Sequence, residues 1–321
     1  MIIYRNLTEA IPGVYTACIG FFDGVHCGHR FLLQHVIEEA RAAGTSSAVV
    51  TFANHPRTLI HPDEPMPLLQ SLDEKLEQLA ATGIDACFLL DFTPALRNLT
   101  AREFLTHILS EKLHLRTLVI GYDHRFGRNR AEGFDDYVRY GAECGMRLLR
   151  EPVFDDGAGG HYSSSEIRRA LSIGAASRAA QLLGRPYRLT GVVEGGHRVG
   201  RSLGFPTANL RVTHPEKLIP ATGVYATRAL LSDGASYPAM CNIGCRPTVE
   251  EGEKEITLEA HIIGFEGDLY GQILSIDFVD RLRDEVKYAS LEELQAQLVC
   301  DRQATLRRLN TAEGDAQHQS M

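Results

Sequence analysis

The chain has 321 residues, 44% of them hydrophobic, with 33 basic against 41 acidic side chains and a net charge of −8. That length and apolar share suit one large or two ordinary globular domains, and the acidic balance without a long basic run excludes gripping nucleic acid by phosphate neutralisation. Small anionic ligands stay open, because a local site can be basic on an acidic protein.

No apolar stretch reaches the roughly 20 residues a bilayer demands, and "MIIYRNLTEAIPG" lacks a basic flank with a signal core, so no membrane partner and a cytoplasmic location are expected. The seven cysteines are scattered without metal-type pairs beyond Cys241 and Cys245, and read as reduced thiols.

From Val14 to about Glu151, apolar strand-like runs alternate with amphipathic helical patterns, the mark of βαβ units around a parallel sheet. The strands are "YTACIGF", "SSAVVTF", "DACFLLDF", "TLVIGY" and "MRLLREP". Helices are predicted after His29, over Leu72–Ala81, Ala101–Lys112 and Phe134–Cys144. Two short helices come next, "SSEIRRALSIG" and "AASRAAQLLG", closed by Gly184 and Pro186. From Tyr187 to about Asp280 the chain turns β-branched with many Gly and Pro, which predicts an antiparallel barrel or sandwich. A last helix begins at Ser290 with Glu293 at capping-box spacing. The expected organisation is one domain over 1–184, a second over 185–310 and a mobile tail over 311–321.

The stretch "CIGFFDGVHCGHRFLLQ" passes from a buried strand into a helix through Asp23, His26 and His29. Such a loop lies at the carboxyl edge of a parallel sheet, where ligands bind in open α/β folds. Gly24 and Gly28 permit close backbone approach, the helix start offers unpaired N–H groups, and the imidazoles can donate to triphosphate oxygens. The competing role for the two histidines is helix capping or bonding to nearby carbonyls. "GFFDGVHCGH" resembles the signature of the HxGH nucleotidyltransferases. "SSSEIRRAL" adds hydroxyls at a helix start with Arg168 a turn further on, which serve phosphate or simply an N-cap and a solvated face. "GYDHRFGRNRAEG" gathers Asp123, Arg125, Arg128 and Arg130 in one loop, suited to a phosphate-bearing ligand or to solvent.

Between Gly191 and Gly204 five glycines stand in fourteen residues, able to fold over a polyphosphate or to form an ordinary hairpin. In "PTAN", Thr207 and Asn209 are two apart and so share one face of an extended strand, giving two neutral oxygen ligands that suit Mg²⁺. Glu259, in "TLEAHIIGF", is an exposed strand carboxylate or the acceptor of an alcohol proton.

In order along the chain, "GFFDGVHCGH", "TFANHP", "GYDHRFG", "SSSEIR", "GRSLGFPTANL", "GVYA", "NIGCRPT", "LEAHIIGFEGDLYG" and "LRDE" resemble the bacterial bifunctional riboflavin kinase and FMN adenylyltransferase family, or FAD synthetases. The resemblance implies a Rossmann-like α/β nucleotidyltransferase domain, then a six-stranded antiparallel β-barrel kinase domain with a C-terminal helix. It implies conversion of riboflavin to FMN with release of ADP, then of FMN to FAD with release of pyrophosphate, with ATP as co-substrate and Mg²⁺ as cofactor. His26 and His29 are then catalytic, and Gly20, Phe22, Asp23, Gly24, Ser164, Ser165 and Arg168 bind ATP with them. Asn54, His55, Asp123, Arg125 and Arg130 would meet the flavin nucleotide. In the kinase half, Gly195, Gly200, Arg201, Gly204, Pro206, Thr207 and Asn209 take ATP, Thr207 and Asn209 hold the metal, Glu259 is the base, and Arg283 and Glu285 face the flavin. The sequence departs from the family at Phe21, Asn54, His124, Ser165 and Gly264, and "NRAEG" is one residue longer, yet no implied catalytic group is lost. An enzyme active only in its kinase half and a non-catalytic flavin-binding regulator are the alternatives; self-association is left open.

Overall fold

The computed structural model describes residues 1–5, 11–55, 57, 63, 66–122, 124–151, 153–154, 162–195, 200, 203–247 and 254–318, with side chains for all of these except 246–247, 254–255 and 312–318. It divides into two compact units, Met1–Ser163 and Ser164–Met321.

In the first unit six parallel strands, β1 (Ile2–Arg5), β2 (Tyr15–Ile19), β3 (Ser46–Phe52), β4 (Ala86–Leu90), β5 (Leu115–Ile120) and β6 (Arg147–Arg150), lie in the order β1-β4-β3-β2-β5-β6. Strands β2 and β4 are buried along their whole length, which is why they read as unbroken apolar runs rather than alternating ones. One face packs Cys18, Val49, Cys87 and Val119 against Leu33 and Val36 of α1 (Cys27–Ala43) and Leu76 and Leu79 of α2 (Leu72–Ala80). The other face packs Ile19, Val50, Phe88 and Leu118 with Leu105, Leu109 and Tyr137. Each such fully buried aliphatic side chain contributes about 1.5–3 kcal/mol.

The chain leaves β2 toward β3 and β4 on one side, then crosses to place β5 and β6 on the other. The switch point therefore falls between β2 and β5, and the loops leaving their carboxyl ends are the histidine loop and "GYDHRFG". Three details depart from the pattern in the sequence. Strand β1 is only four residues long and mostly exposed, so it carries no buried pattern. The short helix α3 (Pro94–Asn98) starts on the Thr93 cap. The helix expected over 101–112 begins as α4 (Ala101–Glu103) and widens into a π-helical turn at Phe104–Ser110. Helix α5 (Phe134–Glu143) precedes β6.

The second unit opens with α6 (Ser164–Ser172) and α7 (Ala176–Leu183). Contacts group this helix pair with the β-rich half: the Leu171 carbonyl accepts from the Ala221 amide at 3.0 Å, and α7 packs on two strands of that half, β7 and β12. Strands β7 (Tyr187–Glu194), β8 (Ala208–Val212), β9 (Gly223–Leu231), β10 (Ser236–Pro247), β11 (Lys254–Ile262) and β12 (Ile273–Arg283) close into an antiparallel barrel in the order β10-β11-β8-β7-β12-β9. Closure decides between the barrel and the sandwich that composition left open. Along β7, Tyr187, Leu189, Gly191 and Val193 point inward while Arg188 and Glu194 face out. Helix α8 (Leu291–His318) continues through residues expected to form the tail, and 319–321 lie outside the described residues.

Gly141, on α5, leaves no room for a side chain: a Cβ there would stand 2.0 Å from Leu148 and 2.7 Å from the Met146 carbonyl. Gly141→Ala should lower the unfolding free energy of the first unit by about 1–3 kcal/mol, seen as a reduced urea midpoint.

Candidate active sites

The histidine loop is held in backbone conformations that most residues avoid. Phe22 has φ 58°, Gly24 85° and Val25 38°, and left-handed non-glycine residues of this kind cost on the order of 1–3 kcal/mol each. The bend lets His26 become the N-cap of α1: its Nδ1 accepts the His29 amide at 3.3 Å. An Nδ1 that accepts leaves the proton on Nε2, so capping fixes the tautomer and leaves Nε2–H as a donor. The capping and ligand-binding roles weighed from sequence are thus compatible in one residue. The His29 ring stacks on His26 with centroids 3.6 Å apart, and its Nδ1 is buried without a hydrogen-bond partner. Burial first, then the neighbouring His26 and His124, push the His29 pKa well below the ordinary value, so this ring is neutral at pH 7.

Gly20 leaves room for the Phe22 ring, 3.1 Å from where a side chain would begin, and Asp23 is buried with both oxygens accepting the Leu69 amide. Asn54 exchanges two hydrogen bonds with the Phe92 backbone, 3.0 and 2.8 Å, tying the ends of β3 and β4. His55 packs edge-on against Phe21 at 4.2 Å. Arg125 and Arg130 are exposed on a loop stapled by buried Tyr137, whose hydroxyl bonds the Phe126 amide and carbonyl. Asp123 lies outside the described residues. Ser164, Ser165 and Arg168 open α6, in the second unit.

In the second unit, barrel register builds a row that sequence spacing shows only in part. Asn209 on β8 stands opposite Glu259 on β11, Glu259 opposite Asn242 on β10, Asn242 opposite Val224 on β9, and Val224 opposite Arg283 on β12. Directly opposed residues share a face with Cβ atoms about 5 Å apart, so Glu259 sits between two amide side chains on the outer wall. A cavity of about 750 Å³ opens over this wall, lined among others by Thr207, Asn242, Glu259, His261 and Arg283. Register shifts along β12 bring Arg283 into the row, where Asp301 of α8 takes its guanidinium at 2.7–3.1 Å beside the Tyr288 ring. Glu285 lies over Gly244: its Oε1 is 2.7 Å from where a side chain there would start. Gly200 is pressed on the Phe205 carbonyl, 2.3 Å from a Cβ position, and the Pro206 carbonyl meets His261 Nδ1 at 2.8 Å. Thr207 borders the cavity, Gly204 turns at φ 81°, and Gly195 ends the β7 run. Arg201, with 196–199 and 202, lies outside the described residues.

The sequence model of the FAD synthetase family matches residues 9–166, and that of riboflavin kinase matches 183–309. A bifunctional riboflavin kinase/FMN adenylyltransferase of Pseudomonas fluorescens is 38% identical over 89% of this chain and 90% of its own. Its Escherichia coli K12 counterpart is 36% identical over 92% and 93%. The chain belongs to the bifunctional riboflavin kinase/FMN adenylyltransferase family. A crystal structure described as a macrolide-efflux protein from Streptococcus pneumoniae matches with a TM-score of 0.85, at 30% identity over 95% of this chain and 98% of that one. Among the described residues of this family member, no helix is long and apolar enough to cross a membrane.

Sequence reasoning missed Asn242, His261 and Lys75. Asn242 and His261 enter through register and cavity lining, which no local pattern encodes. Lys75 reads in the sequence as a polar position of an amphipathic helix. It is 2% exposed, with Nζ 2.7 Å from the Phe52 carbonyl and 3.3 Å from that of Phe21. Burial lowers its pKa to about 8 from 10.5, against the attraction of Asp23. Between those values the unfolded chain binds more protons than the folded one, so the group destabilises fully below pH 8 and progressively less up to 10.5. The urea midpoint of the first unit should rise between pH 8 and 10.5 relative to that of Lys75→Met; parallel midpoints would show that the folded pKa is not lowered.

Proposed function

We propose that the second unit transfers the γ-phosphoryl group of ATP to riboflavin, giving FMN and ADP, and that the first transfers AMP from ATP to FMN, giving FAD and pyrophosphate. The observation that carries this reading is Glu259 set between Asn209 and Asn242 at a cavity wall, in a chain that also presents a capped histidine pair at a sheet switch point. A protein that only stored flavin would need neither.

In the kinase reaction the riboflavin hydroxyl attacks the γ-phosphorus while Glu259 takes its proton. A carboxylate is a weak base for an alcohol, so Glu259 acts by orienting the hydroxyl and accepting the proton as the new O–P bond forms. Thr207 and Asn209 offer hard neutral oxygens, a donor set that fits Mg²⁺ shared with phosphate oxygens. Bound there, Mg²⁺ would neutralise phosphate charge. Among the described residues no cluster of three or more His, Cys, Asp or Glu side chains competes as a metal site.

In the adenylyl transfer a phosphate oxygen of FMN attacks the α-phosphorus and pyrophosphate leaves. The reaction needs alignment and dispersal of charge rather than a covalent intermediate. The amides at the start of α1, the Nε2–H of His26 and the neutral ring of His29 supply donors there.

Time courses of riboflavin, FMN and FAD with ATP and Mg²⁺, started once from riboflavin and once from FMN, test both halves; the reading fails if neither start gives a new flavin. Glu259→Gln should slow FMN formation by about 10²–10⁴-fold and spare FAD formation from supplied FMN. His26→Ala should do the reverse, lowering the FAD rate by about 10²–10³-fold. It should also cost the first unit about 1 kcal/mol through the lost cap, read as a lower urea midpoint.

A further inference from the structure

The segment entering α2 and the first turn of that helix contact three successive residues of the histidine loop, each through a different group. The Leu69 amide donates to the Asp23 carboxylate at 3.1 and 3.2 Å, Gln70 Nε2 to the Phe22 carbonyl at 3.1 Å, and Lys75 Nζ to the Phe21 carbonyl at 3.3 Å. Lys75 also reaches the Phe52 carbonyl at 2.7 Å, joining the ends of β2 and β3, and its ammonium lies 4.0 Å from the centre of the Phe21 ring. Gln70 and Lys75 are 4% and 2% exposed, so water cannot take over these bonds. The loop they hold contains left-handed Phe22 and Val25, and such backbone persists only where its surroundings over-determine it. The Ser71–Glu74 capping box fixes the start of α2 and so the approach of both side chains.

We propose that Gln70 and Lys75 are positioning residues of adenylyl transfer, locking Phe21–Asp23 so that the helix-start amides and the two imidazoles are aimed before the triphosphate arrives. Neither touches the reacting atoms. The inference rests on the reading of the first unit as an adenylyltransferase. It also explains why a buried ammonium is kept at the ends of two strands where an apolar side chain would pack more cheaply.

A mere staple and a positioning brace differ in how the reaction responds to the charge of Lys75. The titratable groups facing it among the described residues are Asp23, from the loop before α1, and Cys87, on β4. Asp23 favours the ammonium and burial opposes it, so the charge is lost as the pH passes about 8. The free-enzyme profile, kcat/KM for ATP, should therefore fall above that pH.

The test uses the full chain with Gln70→Leu and Lys75→Met, measuring FAD made from FMN and, in the same preparations, FMN made from riboflavin. Both variants should lose about 10–100-fold in kcat for FAD, as expected of sub-ångström misplacement, with FMN formation unchanged. The fall of kcat/KM above pH 8 should persist in Gln70→Leu and vanish in Lys75→Met. Wild-type kcat in both variants, or the same pH profile in both, overturns the proposal. If Lys75→Met fails to fold, Gln70→Leu decides on kcat alone. If the wild-type chain makes no FAD from FMN, the adenylyltransferase reading is what fails. Amide exchange at residues 22–26 then judges the brace: faster exchange in Gln70→Leu upholds it, and unchanged exchange overturns it.

Discussion

The constraint on which the first unit turns is a strained bend at the carboxyl end of β2. Phe22, Gly24 and Val25 all have positive φ, and this path brings His26 round to cap α1 while both imidazoles stay at the helix start. The sheet order supplies the place. Because β5 returns on the far side of β2, the bend and the loop after β5 both leave carboxyl strand ends at the switch point, where ligands bind in open α/β sheets. Burial then sets the chemistry: His29, its Nδ1 buried beside another imidazole, stays neutral and can donate without carrying charge into the site.

The second unit reaches its chemistry by a different geometric rule. In an antiparallel barrel a transverse row crosses strand after strand, so residues far apart in the chain, such as Asn209 and Glu259 or Val224 and Arg283, become neighbours. Glu259 gains its company from that rule alone. The same wall receives α8, where the buried Asp301 holds Arg283 and thereby links the position of a C-terminal helix to the cavity lining. A carboxylate almost fully buried beside a guanidinium with several hydrogen bonds gives direction as much as stability.

In the proposed reactions both units use fixed donors and acceptors in place of a nucleophile. That choice suits reactions at phosphorus, whose barriers respond to alignment and to charge dispersal. On that reading a net charge of −8 is reconciled with anionic substrates, since helix-start amides, imidazoles and glycine turns can attract phosphate locally without a basic surface.

The sequence by itself determined the alternation of strand and helix, the presence of an α/β half and a β half, and the family, because periodicity and contiguous motifs are local. Strand β3 and strand β9 coincide with the runs "SSAVVTF" and "GVYATRALL", whose β-branched residues stop at turn formers. It also exposed the histidine loop, since glycines and imidazoles there are consecutive. Tertiary structure alone decided the rest. The exposed four-residue β1 has no pattern until β4 offers it a partner, and barrel closure depends on pairing between β9 and β10 and round to β11, which composition does not encode. Lys75 shows the limit most plainly: a lysine on an amphipathic helix reads as solvated, and only the carbonyls of Phe21 and Phe52, brought together by two neighbouring strands, make it a buried cation. Whether a polar side chain is surface or site depends on what the fold places within hydrogen-bond distance of it, and that is a long-range property.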